Sequence, residues 1–210
     1  MGIWLFGILL WGYAIGCLHG SVVAQKLSGV NLKETGVKNA GASNATIVLG
    51  KKFGALVALI DIGKGVVAVL LAGWAIGIAD LSAGAGSALL FLAGVAAVLG
   101  HVFPFHMGFN GGKGTATLIG ILLALDWKMG LIGLLLFIVV TFITDFIVFG
   151  VLTLYVVLLF TAYWLGGAWT VGLAMLLFVL AIWKHIENFK RLRNGTENRV
   201  SAVFKKKKTT

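Results

Sequence analysis

Long apolar segments with almost no charged residues constrain this chain more than any other feature of its sequence. A stretch such as "LIGLLLFIVVTFI" (131–143) carries no charge and lacks the polar–apolar alternation of membrane β-barrel strands. About 20 apolar residues cross the bilayer core as a helix. Seven such segments can be drawn, and they predict membrane helices at roughly 3–19, 54–79, 87–103, 115–125, 130–144, 147–164 and 167–183.

Composition supports the same fold class. The chain is 60% hydrophobic and only 11% charged, which lies far outside the range of soluble domains. We therefore predict an all-α polytopic membrane protein of about seven transmembrane helices. Residues 1–199 are expected to form a single integral membrane domain, and residues 200–210 a basic cytoplasmic tail. The one cysteine, Cys17, excludes a disulfide framework and a thiolate metal site.

The distribution of Lys and Arg predicts the orientation in the membrane, because cytoplasmic loops carry an excess of positive charge. If the N-terminus lies outside and seven helices follow, all of the 17 Lys and Arg residues except Lys64 and Lys128 fall on the cytoplasmic side. We therefore expect an outside N-terminus and a cytoplasmic C-terminus. The net charge of +10 then reflects topology and attraction to anionic lipid, so membrane lipid is an expected partner and nucleic acid is not.

Three polar stretches share the cytoplasmic side in this topology. They are "TGVKNAGASNAT" (35–46), "GHVFPFHMGFNGGKGTAT" (100–117) and "KHIENFKRLRNGTEN" (184–198). In the second, glycines allow backbone N–H groups to face one anion, Lys113 adds a positive charge, and the following helix adds its N-terminal donors. It is not a nucleotide-binding P-loop, because Gly114 stands where that motif needs Ser or Thr. The stretch predicts a phosphate site without nucleotide hydrolysis.

A pair of charges, Asp61 and Lys64, lies in the apolar stretch "LIDIGKGVV" (59–67). Unpaired charge is costly in a membrane helix, and the i,i+3 spacing allows the two side chains to pair. A structural ion pair and a role in the site are both open on this pattern.

These stretches resemble the motifs of a bacterial membrane enzyme family, the acyl-phosphate:glycerol-3-phosphate acyltransferases. The similarity covers almost the whole chain and implies a seven-helix fold, with the N-terminus outside, in the bacterial inner membrane. The residues that match the family motifs are Asp61, Lys64 and Gly65; Gly100, His101, Pro104, Phe109, Gly111, Gly112, Lys113, Gly114, Ala116 and Thr117; and His185, Glu187, Asn188, Arg191, Leu192, Gly195 and Glu197.

The resemblance implies transfer of a fatty acyl group from acyl phosphate to glycerol 3-phosphate, giving lysophosphatidate and phosphate, with no metal or cofactor. It implies catalytic roles for His101, Lys113, His185 and Asn188. It implies binding of substrate or phosphate by Lys38, Asn39, Ser43, Asn44, Gly111, Gly112, Gly114 and Glu187. For His101, acid–base catalysis and simple bracing of the loop are both open.

Several polar positions of the family are changed in this chain. Val37 and Lys38 stand in place of Ser and Gly, and Ile47 stands in place of Arg. Asp145, Val148 and Val151 stand where the family has a basic residue and serines. Three hypotheses are therefore open: a working glycerol-3-phosphate acyltransferase, a paralogue that uses another small polar acceptor, and a non-catalytic relative that binds or transports a lipid or phosphate.

Overall fold

The computed structural model describes residues 2–79 and 82–203, and these residues contain helices and no strand. The α-helices in this part of the chain are α1 (Gly2–Gly16), α2 (Gly20–Ser28), α3 (Ala42–Leu49), α4 (Lys51–Ile78), α5 (Ala83–Val102), α6 (Thr115–Leu125), α7 (Trp127–Thr144), α8 (Ile147–Gly166), α9 (Ala168–Lys184) and α10 (Ile186–Arg193). Two short 3₁₀ turns occupy Phe105–Met107 and Val200–Val203. The all-α prediction is confirmed.

Among residues 2–79 and 82–203, five helical segments are long and apolar enough to cross a membrane: Gly2–Ser28, Lys51–Ile78, Gly84–Met107, Trp127–Thr144 and Ile147–Gly166. Helices α9 and α10 add a sixth if they form one span, which is bent by 46°. Helix α6 has 11 residues, so it rises only about 16 Å and is too short to cross a bilayer core of about 30 Å by itself. The count of seven spans and the sides of the two termini stay predictions.

Helix α6 lies at the centre of the helix bundle. Its Leu118 and Leu122 are fully buried. A β-carbon on Gly65 of α4 would lie 2.3 Å from the Thr117 carbonyl oxygen, and one on Gly120 of α6 would lie 2.0 Å from the Ile62 carbonyl oxygen. Only glycine therefore allows α4 and α6 to pack with their backbones in contact, as small residues do between membrane helices.

The outer helices present apolar side chains to the membrane. Helix α7 shows this most clearly, since Leu131, Leu135 and Ile143 are at least half exposed. In water such a surface would be unfavourable, whereas lipid tails solvate it. The outer helices therefore face lipid and α6 fills the interior, so the polar loops lie at the ends of the helices.

The C-terminal segment after α10 folds back onto the turn between α7 and α8. The Asp145 carboxylate accepts hydrogen bonds from the Ser201 N–H at 2.7 Å and from the Ser201 hydroxyl at 2.8 Å, and Arg199 lies 3.5 Å from the same carboxylate. These hydrogen bonds lower the pKa of Asp145. The first residues of the predicted basic tail are thus anchored, and its remainder, 204–210, lies outside the described residues.

Candidate active site

The three polar stretches meet at one end of the helix bundle. Lys33, just before the first stretch, donates to Asn110 in the second at 2.8 Å. Lys113 in the second donates to Asn188 in the third. The predicted meeting of the second and third stretches is therefore present in the structure, and Lys33 joins the segment before the first stretch to the second.

The glycine–lysine loop runs from Phe103, where α5 ends, to Gly114, where α6 begins. It returns to the end of α5, where Gly111 donates its N–H to the Val102 carbonyl at 3.0 Å and Gly112 donates to the His101 carbonyl at 3.1 Å. Gly114 then takes a left-handed conformation (φ 86°), which starts α6 and suits glycine. The loop is pinned at both ends, so the position of Lys113 is fixed.

These bonds correct one expectation about the loop. The N–H groups of Gly111 and Gly112 were expected to face an anion, but both already pair with backbone carbonyls. Within the described residues, no backbone acceptor pairs with the N–H groups of residues 113–117. The donors left for an anion are therefore at Lys113, Gly114 and the first turn of α6, where the helix dipole also favours negative charge.

Lys113 begins a chain of four polar side chains. Its ammonium donates to the Asn188 amide oxygen, and the Asn188 amide nitrogen donates to Glu197 at 2.6 Å. Arg191 donates to the other oxygen of Glu197 at 2.7 Å. Glu197 can only accept, so it holds the Asn188 amide with the nitrogen toward Glu197 and the oxygen toward Lys113.

Glu197 reaches Asn188 because the chain reverses directly after α10. Gly195 adopts a left-handed conformation (φ 69°), its N–H donates to Leu192 O at 3.1 Å, and the Thr196 N–H donates to Arg191 O at 2.8 Å. This is the Schellman arrangement that ends many helices at a glycine. The "RLRNGTE" sequence (191–197) thus has a structural purpose, which is to bring an acid back to the face of α10 that carries Asn188.

The Lys113 ammonium is partly withdrawn from water. Its burial, together with the nearby positive charge of Arg191, lowers its pKa from an ordinary 10.5 to about 8. Glu197 and Glu187 oppose this shift. A cation held in this state is well suited to an anionic ligand, which would restore the missing countercharge.

His185 and Glu187 were both predicted to belong to the same site as Lys113, but the structure places the two side chains differently. His185 is buried at the junction of α9 and α10, where a ring nitrogen lies 2.8 Å from the Ala181 carbonyl oxygen, and the Lys113 charge acts on it. Glu187 is largely exposed and forms a surface ion pair with Lys190 at 2.8 Å. His185 therefore borders the site, whereas Glu187 faces away into a pair of its own.

The first stretch contributes less than expected. Asn44 was expected to bind substrate, but it is fully buried and its amide binds the Leu32, Thr35 and Asn39 carbonyls and the Val37 N–H. Both N–H donors of its amide are used and its amide oxygen accepts from Val37, so the side chain holds the loop together instead.

Lys38 and Ser43 are exposed, and no side-chain partner is seen for either among the described residues. Asn39 is half-buried and offers its carbonyl to Asn44. Lys38 has φ 53°, a left-handed conformation at the position where the resemblance implies glycine.

The Asp61–Lys64 pair is buried below the loop. The two side chains are 2.9 Å apart, and the Lys64 ammonium also lies 2.7 Å from His101 Nδ1. His19 stacks on His101 with ring centroids 4.6 Å apart. His19, Asp61 and His101 offer the atoms of a possible metal site, but the Lys64 ammonium already occupies a place between Asp61 and His101.

Fold and site together define a polytopic α-helical membrane protein with a linked cluster of polar side chains, Lys113, Asn188, Glu197 and Arg191, at one end of its bundle. The sequence profile described as glycerol-3-phosphate acyltransferase matches residues 6–195, so the chain belongs to that family. It is 44% identical over 203 residues to glycerol-3-phosphate acyltransferase 1 of Oceanobacillus iheyensis, covering 94% of this chain and 96% of the relative. It is 37% identical to glycerol-3-phosphate acyltransferase 2 of Thermotoga maritima, covering 98% and 100%.

A solved structure shows the same fold. The crystal structure of PlsY, an integral membrane glycerol 3-phosphate acyltransferase in its glycerol 3-phosphate form, matches with a TM-score of 0.82 at 30% identity, covering 96% of this chain and 99% of that one. Its lysophosphatidic acid form matches with a TM-score of 0.80, covering 95% and 98%. The family resemblance inferred from the motifs is confirmed.

Several residues of this centre were not assigned roles from the sequence. Glu197 and Arg191 were noticed only as parts of a motif, and their pairing depends on the turn at Gly195, which a spacing pattern does not reveal. Lys33 was counted only for topology, yet it contacts Asn110 of the second stretch and borders an open cleft of about 440 Å³ with Lys26 and Asn110. His19 carried no motif signal.

Proposed function

We propose that this protein transfers a fatty acyl group from acyl phosphate to the primary hydroxyl of glycerol 3-phosphate in a bacterial cell membrane. The observation that carries the proposal is the chain from Lys113 through Asn188 to Glu197, beside the free donors at the start of α6. This arrangement offers a cation and backbone N–H groups to a phosphate, which both substrates carry.

The reaction asks the protein mainly to position two anions. The acceptor hydroxyl oxygen forms a bond to the acyl carbon, and the bond from that carbon to the phosphate oxygen breaks. Overall, the hydroxyl proton ends on the released phosphate, so no metal or nucleotide is needed for balance. Holding the substrates in place and stabilising the developing negative charge are the two contributions that fixed donors make best.

The orientation belongs to the same proposal. Placing the loops of Lys113 and Asn188 in the cytoplasm gives them access to a water-soluble acceptor. Cysteines at Ser82 and Asn198, both exposed, test it in a Cys17→Ser background. An impermeant thiol reagent should label position 82 from outside intact cells, and labelling of position 198 instead would reverse the orientation.

One observation favours the alternative that the protein uses an acceptor other than glycerol 3-phosphate. The first stretch has an apolar Val37, and an apolar Ile47 that is 42% exposed directly follows that stretch, where the resemblance implies polar groups. Lost charge-assisted hydrogen bonds cost roughly 1.5–3 kcal/mol each, enough to change which acceptor is used.

The deciding experiment is an assay of the purified protein with acyl phosphate and a panel of acceptors, following phosphate release and lipid products together. Formation of lysophosphatidate that is lost in Lys113→Met supports the main proposal. A different acylated product identifies the paralogue. Binding without turnover of any acceptor shows a non-catalytic relative. The surface variant Lys52→Gln is the matched control, because Lys52 is an exposed lysine at the start of α4.

A further inference from the structure

Four ionisable side chains are buried together directly below the glycine–lysine loop. His19, Asp61, Lys64 and His101 are each at most 4% exposed. Such groups are expensive inside a membrane bundle, and the phosphate-binding role assigned to Lys113 makes no use of them. Their contacts point to a role in the site above them.

The Lys64 ammonium is fully satisfied by three acceptors. It lies 2.9 Å from an Asp61 carboxylate oxygen, 2.7 Å from His101 Nδ1 and 2.5 Å from the Leu18 carbonyl oxygen. An ammonium has three N–H donors and no acceptor. Each donor therefore has one partner, and His101 Nδ1 must be an acceptor.

This arrangement fixes the tautomer of His101. In a neutral imidazole, one ring nitrogen accepts and the other carries the proton. Because Nδ1 accepts from Lys64, the proton lies on Nε2. The ring is further held by His19, which stacks on it at 4.6 Å.

The protonated nitrogen faces the loop. A β-carbon on Gly112 would lie 2.2 Å from His101 Nε2, so this nitrogen lies against the residue that precedes Lys113. The Gly112 N–H also donates to the His101 carbonyl at 3.1 Å. The backbone and ring of His101 thus bracket Gly112, and Nε2 lies at the base of the anion site.

We propose that Lys64 and Asp61 are positioning residues that keep His101 neutral with its proton on Nε2, so that Nε2–H is a fixed hydrogen-bond donor to a substrate oxyanion beside Lys113. The role rests on the proposed acyl transfer. It decides between the two roles left open by the sequence, because a nitrogen that already carries a proton cannot take one from the acceptor hydroxyl. His101 then acts as a donor that stabilises negative charge, and Lys64 acts only through it.

The first test needs no substrate, so its failure is distinguishable from failure of the proposed reaction. The protein, labelled with ¹⁵N-histidine, is studied by NMR in nanodiscs, and the His101 signals are assigned with His101→Gln. We expect a single tautomer with the proton on Nε2. In the charge-neutral double variant Asp61→Asn/Lys64→Met, which leaves no lone buried charge, both tautomers should appear.

Three outcomes of this experiment would overturn the proposal. The first is a proton on Nδ1 or on both ring nitrogens in the wild-type protein. The second is an unchanged tautomer in the double variant. The third is a joint shift of His19 and His101 on adding Zn²⁺ that a chelator reverses, since that would make the cluster a metal site.

The second test compares two amides in the acylation assay. The Gln side chain places an N–H donor near the position of Nε2, whereas the shorter Asn side chain reaches only the region of Nδ1. His101→Asn should lower kcat about 100-fold, as loss of an oxyanion donor does, with the KM for the acceptor nearly unchanged. His101→Gln should recover at least tenfold of that loss. The exposed His106→Gln is the matched control.

Equal loss of turnover in His101→Asn and His101→Gln would contradict the donor role and would favour His101 as a general base. Recovery in Gln without a change in the shape of the pH–kcat profile would support the donor role, because an amide cannot titrate in this range. Thermal unfolding of each variant in detergent separates these effects from loss of the fold.

Discussion

The pH dependence of anion binding tests the state of Lys113. In the proposed phosphate site the cation is Lys113, and burial lowers the pKa of its ammonium to about 8. Raising the pH through this value removes the charge, so affinity should fall as the pH rises. A lysine with an ordinary pKa of 10.5 would instead stay charged across the same range.

The expected change follows from the charged fraction. With a pKa of about 8, about nine-tenths of Lys113 is charged at pH 7 and about one-tenth at pH 9, so the Kd should rise roughly tenfold, or about 1.4 kcal/mol. The second pKa of a phosphate monoester is near 6, so the ligand is already mostly dianionic at pH 7 and its charge changes little over this range. Isothermal titration calorimetry of glycerol 3-phosphate at pH 7, 8 and 9 measures the effect.

Lys113→Arg is the matched control, because a guanidinium stays charged at these pH values. Its affinity should be nearly constant from pH 7 to 9, even if a different geometry makes it weaker throughout. A flat profile for the wild-type protein would refute the withdrawal of Lys113 from water. An equal slope in wild-type and Lys113→Arg would assign the titration to another group.

Three further predictions concern the frame around the site. Gly112→Ala forces a β-carbon to within 2.2 Å of the buried His101 ring, so thermal unfolding should show a loss of about 1–3 kcal/mol, whereas Gly108→Ala, which meets open space, should cost only about 1 kcal/mol of backbone strain. Lys38→Gly relieves a left-handed conformation and should raise the free energy of unfolding by roughly 0.5–1 kcal/mol, with no gain in Lys38→Ala. Glu197→Gln removes the acid that raises the pKa of Lys113, so the midpoint of the pH–affinity profile should move to lower pH, and an upward move would contradict the charge assignment.

Apolar segments and motif spacing predicted the helices and the meeting of Lys113 with Asn188. Helix formation in lipid depends on runs of residues that a sequence displays directly. The sequence alone does not decide the placement of α6, because a short apolar run is typical of a buried core helix as well as of part of a span, so its crossing of the membrane stays a prediction.

Hydrogen-bond partners of the loops were not predictable in the same way. Asn44 and the N–H groups of Gly111 and Gly112 belong to residue types that suit anion binding, yet all are used within the fold. Which donors remain free depends on how the chain returns on itself, and composition contains no record of that path. The contact of Glu197 with Asn188 was not predicted for the same reason, because it depends on the turn at Gly195.

The attachment of Ser201 to Asp145 has a consequence for how the chain folds. It joins residues 56 positions apart and closes a loop that contains α8, α9 and α10. Closing a loop of this length costs entropy that grows only slowly with its size, so a few bonds at one carboxylate are enough to hold it once the helices have packed. The resemblance implies a basic residue at position 145, and a positively charged side chain there would repel Arg199 and could not accept the hydrogen bonds from Ser201. The contacts at Asp145 therefore join the segment after α10 to the turn between α7 and α8, and Asn188, which contacts Lys113, lies within the loop that they close.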